Sequence, residues 1–81
     1  MPTYGADVNL AVAAELRAQR ARVRISFDDL AKITGLSKTT VLHYLNGKRS
    51  IPLPALALLC RALDIEMQDV FVLAQKALQK E

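Results

Sequence analysis

Apolar residues recur at spacings of three and four along most of the chain, a pattern typical of helices that bury one face. In the first segment Val8, Val12 and Leu16 form such a stripe, and Val23 is a further candidate for it. Asp7 precedes the stripe and belongs to a residue type that caps helices well. We therefore predict a first helix from a cap at Asp7 to about residue 22.

Polar signals predict a second helix that begins at Phe27. Ser26 can accept a hydrogen bond from a free amide of the first turn, and Asp28 and Asp29 oppose the positive end of the helix. Gly35 follows the last apolar position and can adopt the left-handed conformation that ends a helix without steric cost. The second helix is therefore expected to end at Gly35.

A third helix is predicted directly after this turn, because Ser37 offers another cap two residues beyond Gly35. The apolar side chains expected to hold the two helices together are those of Leu36, Val41 and Leu45. Another face of the third helix, near its amino-terminal half, then carries Lys38, Thr39, Thr40 and His43. Two helices joined by a tight turn, with polar and basic side chains on the second, are typical of a DNA-reading unit that enters the major groove.

Two more helices are predicted after Gly47. Pro52 and Pro54 suit the start and first turn of a fourth helix, which should end near Asp64. Its core-facing residues are predicted to be Leu56, Leu59, Cys60 and Leu63. A fifth helix, at about residues 66–79, has a stripe formed by Met67, Val70, Phe71, Ala74 and Leu78.

The fifth helix has more apolar residues than one buried stripe requires, because Val72 and Leu73 lie outside the stripe. A helix that is apolar over much of its circumference needs a second neighbour, and a second copy of the chain would provide one. The residues expected at this homodimer contact are Met67, Val70, Phe71, Leu73, Ala74 and Leu78.

Charge is distributed unevenly along the chain. Residues 17–49 contain eight basic and two acidic residues, a net charge of +6, and the remaining residues bring the total to +3. A basic segment joined to a mildly acidic remainder is expected of a protein that meets phosphates with one face. A membrane surface is the weaker alternative partner.

Length and composition exclude several classes of protein. We expect 81 residues to form one domain, 1–81, which is enough for a helical core. No apolar run approaches the roughly 20 residues that cross a bilayer, and the amino terminus lacks a signal-peptide pattern, so we expect a cytoplasmic protein. One cysteine and one histidine cannot build a tetrahedral zinc site. No metal, cofactor or small-molecule ligand is expected, and without a phosphate-binding glycine loop or a cysteine–histidine dyad no enzymatic activity is expected.

The segment from Leu16 to Phe71 resembles the Cro and phage-repressor helix-turn-helix family, also called the XRE family. Residues 26–47 resemble the two-helix reader of that family, and the stretch Tyr44-Leu45-Asn46-Gly47-Lys48-Arg49 resembles its usual exit from the recognition helix. The resemblance implies a compact all-α fold of five helices, similar to the lambda repressor, with the helix-turn-helix at helices two and three. Three positions depart from the pattern: Arg24 replaces a common glycine, Phe27 a common glutamine, and Leu42 a common small polar residue.

The candidate DNA contacts fall into two groups. Base edges are expected to be read by Lys38, Thr39, Thr40 and His43. For His43, a phosphate contact and a surface position without a DNA contact are open alternatives. Phosphate contacts are expected from Ser26, Ser37, Asn46, Lys48, Arg49, Arg22 and Arg24. Arg17 is expected to be a solvated charge, whereas the resemblance implies that Arg20 helps to fix the domain. Phe27 is interpreted as a packing residue, and Cys60 as part of the core.

These features favour a sequence-specific regulator of transcription, a Cro-like dimeric repressor from a phage or a bacterium that binds a pseudo-palindromic DNA operator. One alternative is an antitoxin that binds DNA with the reader and a toxin with the fifth helix. Another alternative is a protein-interaction module that has lost DNA binding, for which Phe27 and an outward-facing Ile33 are the suggestive features. The retained basic charge around the reader argues against this last alternative.

Overall fold

A computed structural model of the chain describes residues 3–79. Five helices make up most of this range: α1 (Tyr4–Val23), α2 (Phe27–Thr34), α3 (Lys38–Leu45), α4 (Leu53–Ala62) and α5 (Met67–Gln79). No strand occurs within residues 3–79. The predicted all-α fold of five helices is confirmed.

All five helices contribute to one hydrophobic core. The largest side chains that are completely buried in it are Leu16, Leu30, Leu45, Leu59, Leu63, Val41 and Val70. α1 packs mainly against α5, while α2 packs against α3 and α4. Because burial of an apolar side chain stabilises the fold by about 1.5–3 kcal/mol, the shared core fixes the position of α3 relative to the other helices.

The start of α1 differs from the sequence prediction. The helix begins at Tyr4, and the backbone N–H of Asp7 donates to the Thr3 carbonyl at 2.8 Å, so Asp7 already lies in the first turn. Its carboxylate instead accepts a hydrogen bond from the Thr3 hydroxyl at 3.4 Å. The predicted cap at Asp7 is therefore wrong. Aspartate is favourable both as a capping residue and within the first turn of a helix, so the residue type did not distinguish the two positions.

The end of α1 also departs from the expected stripe. Val8 and Val12 pack in or against the core, but Val23 is 42% exposed and is not a core residue. Val23 is the last residue of the helix, and Arg24 follows it with a left-handed φ of 58°. The predicted inclusion of Val23 in the buried stripe is therefore wrong.

The predicted start of α4 is confirmed. Pro52 is the residue before the helix, and Pro54 lies in its first turn, where a missing N–H removes no helical hydrogen bond. Leu56, Leu59, Cys60 and Leu63 are all buried, as predicted. The helix ends at Ala62, and Asp64 adopts a left-handed φ of 58° in the turn that follows.

Cys60 is a buried core residue, in agreement with the prediction. Burial raises the pKa of its thiol, and the nearby negative charge of Glu66 raises the pKa further. The thiol therefore stays protonated and behaves as a small apolar side chain near neutral pH.

None of the helices in residues 3–79 combines the length and the apolar character required to span a membrane.

Candidate nucleic-acid interface

A serine hydroxyl caps the beginning of α2, and a glycine in the left-handed conformation ends it. The hydroxyl oxygen of Ser26 accepts a hydrogen bond from the backbone N–H of Asp29 at 3.0 Å. At the other end Gly35 has a φ of 78°, and its N–H donates to the Ala31 carbonyl at 2.9 Å. Both predicted boundaries of α2 are confirmed, and both follow from the local sequence.

The turn between α2 and α3 is fixed by Thr34, a residue without a role in the sequence prediction. The hydroxyl of Thr34, which is buried, donates to the Leu30 carbonyl at 2.8 Å. The same oxygen accepts a hydrogen bond from the backbone N–H of Leu36 at 3.3 Å. Thr34 thus links the last turn of α2 to the turn that follows it. The sequence feature that could have indicated this role is a threonine directly before the helix-ending Gly35.

The beginning of α3 has the predicted cap and an additional hydroxyl contact. Ser37 Oγ accepts from the backbone N–H of Thr40 at 3.0 Å, and the Ser37 hydroxyl donates to Thr40 Oγ1 at 2.8 Å. The Thr40 hydroxyl hydrogen is not used in this pair and can donate to a ligand. The cap therefore orients one of the predicted base-contacting side chains.

Lys38, the first residue of α3, forms an ion pair with α2. Its Nζ lies 3.2 Å from Asp28 Oδ1, and both side chains are more than half exposed. An ion pair this exposed stabilises a protein by about 0–1 kcal/mol, so the ammonium can exchange this partner for another at little cost. Thr39 is also exposed, while Thr40 and His43 are partly buried.

The crossing of α2 and α3 is held by the residues predicted from the apolar pattern. Val41 and Leu45 are fully buried, and Leu36 packs against the core from the turn. Tyr44 is also buried, with 9% of its surface exposed. These contacts leave the beginning of α3 at the surface of the domain.

The segment that follows α3 carries three of the predicted phosphate-contacting residues. Asn46, Lys48 and Arg49 lie within four residues of Leu45, and all three are exposed. Gly47 has a φ of 75°, and a methyl group placed on it would lie 2.6 Å from Leu10 Cδ2 of α1. The left-handed φ favours glycine at this position, and a side chain there would also force the exposed Leu10 side chain to move.

Two side chains of α1 bind the backbone around the end of α3, and the sequence pattern predicted neither role. Asn9 Nδ2 donates to the Arg49 carbonyl at 3.2 Å, and Asn9 Oδ1 accepts from the Ile51 N–H at 2.9 Å. Arg17 Nη1 donates to the Leu45 carbonyl, at the negative end of α3. The prediction that Arg17 is only a solvated charge is therefore wrong.

Arg20 has the positioning role that the family resemblance implied. Its guanidinium carbon lies 4.5 Å from the centre of the Phe27 ring, and its Nη1 donates to the Ile25 carbonyl at 2.7 Å. Phe27 is partly buried and packs against the core, as predicted. The guanidinium thus connects α1 to the beginning of α2.

The two candidate phosphate contacts near the end of α1 lie in different surroundings. Arg22 Nη1 donates to Gln19 Oε1 at 2.7 Å, and Gln19 in turn donates to the Leu63 carbonyl at 2.9 Å. Arg24 is exposed and has the left-handed backbone that the common glycine of the family would favour. Arg22 therefore has a hydrogen-bond partner within the protein, whereas the exposed Arg24 lies in the turn after α1.

The apolar surface of α5 is narrower than the helical pattern predicted. Met67, Phe71 and Leu73 are 40%, 37% and 37% exposed, and Leu78 is partly buried. Val70 and Ala74 are buried in the core of the single chain, so they cannot contact a partner. The apolar spacing along α5 could not distinguish residues that face the core of the chain from residues beside them that stay exposed.

The geometry of α2, the turn and α3 is that of a helix-turn-helix. A family model described as "Helix-turn-helix domain" matches residues 11–70, well over half of the 81 residues. The chain therefore belongs to the helix-turn-helix domain family, and the resemblance to Cro and phage-repressor proteins agrees with that membership. Neither a curated protein nor a solved structure matches the chain significantly.

Membership of this family makes the chain a DNA-binding domain. The family is typically not enzymatic.

Proposed function

We propose that this protein is a sequence-specific transcriptional regulator, a Cro-like repressor that inserts α3 into the major groove of an operator. The observation that carries the proposal is the start of α3, where exposed Lys38 and Thr39 stand next to a Thr40 hydroxyl held by Ser37. Lysine and threonine are residue types that donate to base-edge acceptors or contact the thymine methyl group.

Phosphate contacts would set the position of α3 on the duplex. Exposed Lys48 and Arg49 lie immediately beyond the end of α3, and Arg24 is exposed beyond the end of α1. Contacts of this kind supply affinity that falls steeply with salt and is independent of sequence. In this proposal the start of α3 chooses the sequence and the basic residues of the loop supply affinity.

Two copies of the protein would read an inverted repeat with half-sites about one helical turn, or roughly 34 Å, apart. The exposed part of α5, formed by Met67, Phe71, Val72 and Leu73, supports a contact between copies through this helix. Exposed apolar side chains grouped on one helix are a common feature of association surfaces. Repression would follow when the bound dimer occludes the polymerase.

The test is selection of binding sites from a random duplex pool at moderate salt, followed by sequencing of the bound fraction. An enriched inverted repeat with half-sites about ten base pairs apart is the expected result. Enrichment of single half-sites would contradict binding as a dimer but would support base recognition by α3. Absence of any enriched sequence would contradict sequence-specific regulation.

An antitoxin-like function is the second candidate, because the same apolar part of α5 would suit another protein as well as a second copy. Co-purification of the protein from its own host with a second small protein, in a complex that still binds DNA, would favour it. A homodimer as the sole species would exclude a toxin as the obligatory partner of α5.

A further inference from the structure

We propose that Asn9 is a positioning residue for DNA binding, which holds the segment after α3 so that Lys48 and Arg49 meet phosphates. This inference rests on the proposed function and adds to it a residue that lies on α1, outside the helix-turn-helix.

The Asn9 amide makes two hydrogen bonds with a part of the chain that is about 40 residues away. Its nitrogen donates to the Arg49 carbonyl at 3.2 Å, and its oxygen accepts from the Ile51 N–H at 2.9 Å. A primary amide is the side-chain group that offers a donor and an acceptor side by side, so both contacts require Asn or a close analogue. The pair fixes both sides of Ser50 in the loop.

The choice of Asn at this position is unfavourable for α1 itself. Asn9 lies in the interior of α1, where asparagine is a poorer helix former than alanine. Both hydrogen bonds of its amide go to the loop after α3. A tertiary role therefore explains why this residue type stands in the middle of a helix.

Neighbouring residues of α1 hold the same segment at its other end. The Leu10 side chain packs directly on Gly47, and Arg17 donates to the Leu45 carbonyl. The loop thus contacts α1 at residues 45, 47, 49 and 51, and this attached stretch carries the side chains of Lys48 and Arg49.

The functional consequence is that these two cations are presented from an ordered backbone. Ordering the backbone of one residue costs about 1–2 kcal/mol, so a loop that must be ordered during binding loses affinity. Because Asn9 holds the loop in the free protein, the loop is ordered during folding. The ordering cost therefore does not reduce the affinity for DNA. Because Asn9 is neutral, its effect on binding cannot come from its own charge.

Gln19 provides a matched control. It is also an amide on α1 and also donates to a distant carbonyl, that of Leu63 at 2.9 Å, but this carbonyl belongs to the connection between α4 and α5. Gln19→Ala removes this hydrogen bond and the one that Gln19 accepts from Arg22, and it leaves the loop after α3 untouched. A loss of stability common to both variants can therefore be separated from an effect on DNA binding.

The experiment compares wild type, Asn9→Ala and Gln19→Ala by fluorescence anisotropy with a labelled duplex of mixed sequence over a range of salt concentrations. We expect Asn9→Ala to bind roughly tenfold more weakly. The slope of log affinity against log salt should fall by about one for each phosphate that the loop no longer neutralises. Gln19→Ala should bind no more weakly than wild type, and its salt slope should not fall, because Arg22 keeps its charge when Gln19 is removed. Amide exchange of Ile51, measured without DNA, should be slow in wild type and Gln19→Ala and fast in Asn9→Ala.

Asn9→Leu provides a second variant if Asn9→Ala does not fold. Leucine is neutral, close to asparagine in size and a better helix former, but it makes neither hydrogen bond, so fast exchange of Ile51 and weaker DNA binding are both expected.

The remaining outcomes separate the two proposals. Wild type that fails to bind any duplex at low salt would overturn the proposed function, and the role of Asn9 with it. Wild type that binds DNA no better than Asn9→Ala, with the same salt slope, would overturn the role of Asn9 alone. Equal losses in Asn9→Ala and Gln19→Ala would reduce Asn9 to a contributor to stability and would also overturn it.

Discussion

The α2–α3 pair and the α1–α5 pair form two regions of the molecule that are built differently. α2 and α3 have eight residues each, and both begin with a serine hydroxyl that accepts a hydrogen bond from a backbone amide. α1 and α5 have 20 and 13 residues and pack mainly against each other, and α1 starts without a side-chain cap. Short helices are marginal alone, so caps and tertiary contacts must hold the first pair, whereas the second depends mainly on packing.

The two regions also differ in what they leave exposed. The helix-turn-helix presents Lys38, Thr39 and the basic loop beyond α3, while α5 presents apolar side chains such as Phe71 and Val72. Charged groups favour a phosphate-bearing partner, and apolar groups favour a protein partner. The difference therefore favours DNA recognition by the first region and association through the second, and each role can be tested by substitution.

The largest effect is expected for Phe71→Asp, which tests the association surface. Phe71 is 37% exposed on α5, and a carboxylate there would be desolvated in an interface between copies. We expect the dimer to weaken by roughly thirtyfold or more, equivalent to about 2 kcal/mol. Sedimentation velocity measures the association, and circular dichroism shows whether the variant is folded.

Ile33→Asp is the control for this substitution, because Ile33 is 62% exposed on α2, in the other region. It should leave the mass in solution unchanged. A folded Phe71→Asp protein with unchanged mass would exclude α5 as the interface, and dissociation by Ile33→Asp would move the interface to α2.

Lys38→Ala tests whether the start of α3 reads bases. Removal of a base contact should cost about 1–3 kcal/mol on the selected site and relax the preference at one base position. Lys32→Ala, which removes a charge from the last turn of α2, should leave the base preference intact. Site selection with each variant provides the measurement. An unchanged base preference in Lys38→Ala would remove this residue from the reader.

Ser37→Ala tests the dependence of the short helices on their caps. Removing the hydroxyl that accepts from the Thr40 N–H should lower the free energy of unfolding by about 1 kcal/mol. Ser26→Ala should have a similar effect at α2, and Ser50→Ala, at an exposed loop serine, should have almost none. Urea denaturation gives all three values. If the three variants were equally stable, packing rather than capping would hold the helix-turn-helix.

The smallest effect is expected for Lys48→Ala, which tests the phosphate contacts of the loop. Binding to every duplex should weaken by about fivefold at moderate salt, with the salt slope reduced by about one unit. Lys76→Ala removes the same charge from α5 and should not alter the slope. Titrations at several salt concentrations distinguish the two variants. A change of base preference in Lys48→Ala would show that the division between base and phosphate contacts is incorrect.

The helix-turn-helix could be predicted from the sequence in detail because its signals are local. Ser26, Gly35 and Ser37 act on backbone groups within a few residues of themselves, so their residue types are enough to predict the boundaries of α2 and α3. The apolar spacing likewise predicted that Val41 and Leu45 would be buried. The predictions for the start of α1 and for Val23 failed because the start of α1 has no side-chain cap and its end has no glycine.

The sequence by itself determined the five helices, the tight turn and the residue types exposed on α3, because hydrogen bonding and periodicity act over one or two turns. Only the tertiary structure decided that Asn9 and Arg17 of α1 hold the segment after α3, and that Val70 and Ala74 face inward while Phe71 remains partly exposed. Contacts between residues about 30 to 40 positions apart depend on how the helices pack around the shared core, and the local pattern contains no information about that arrangement.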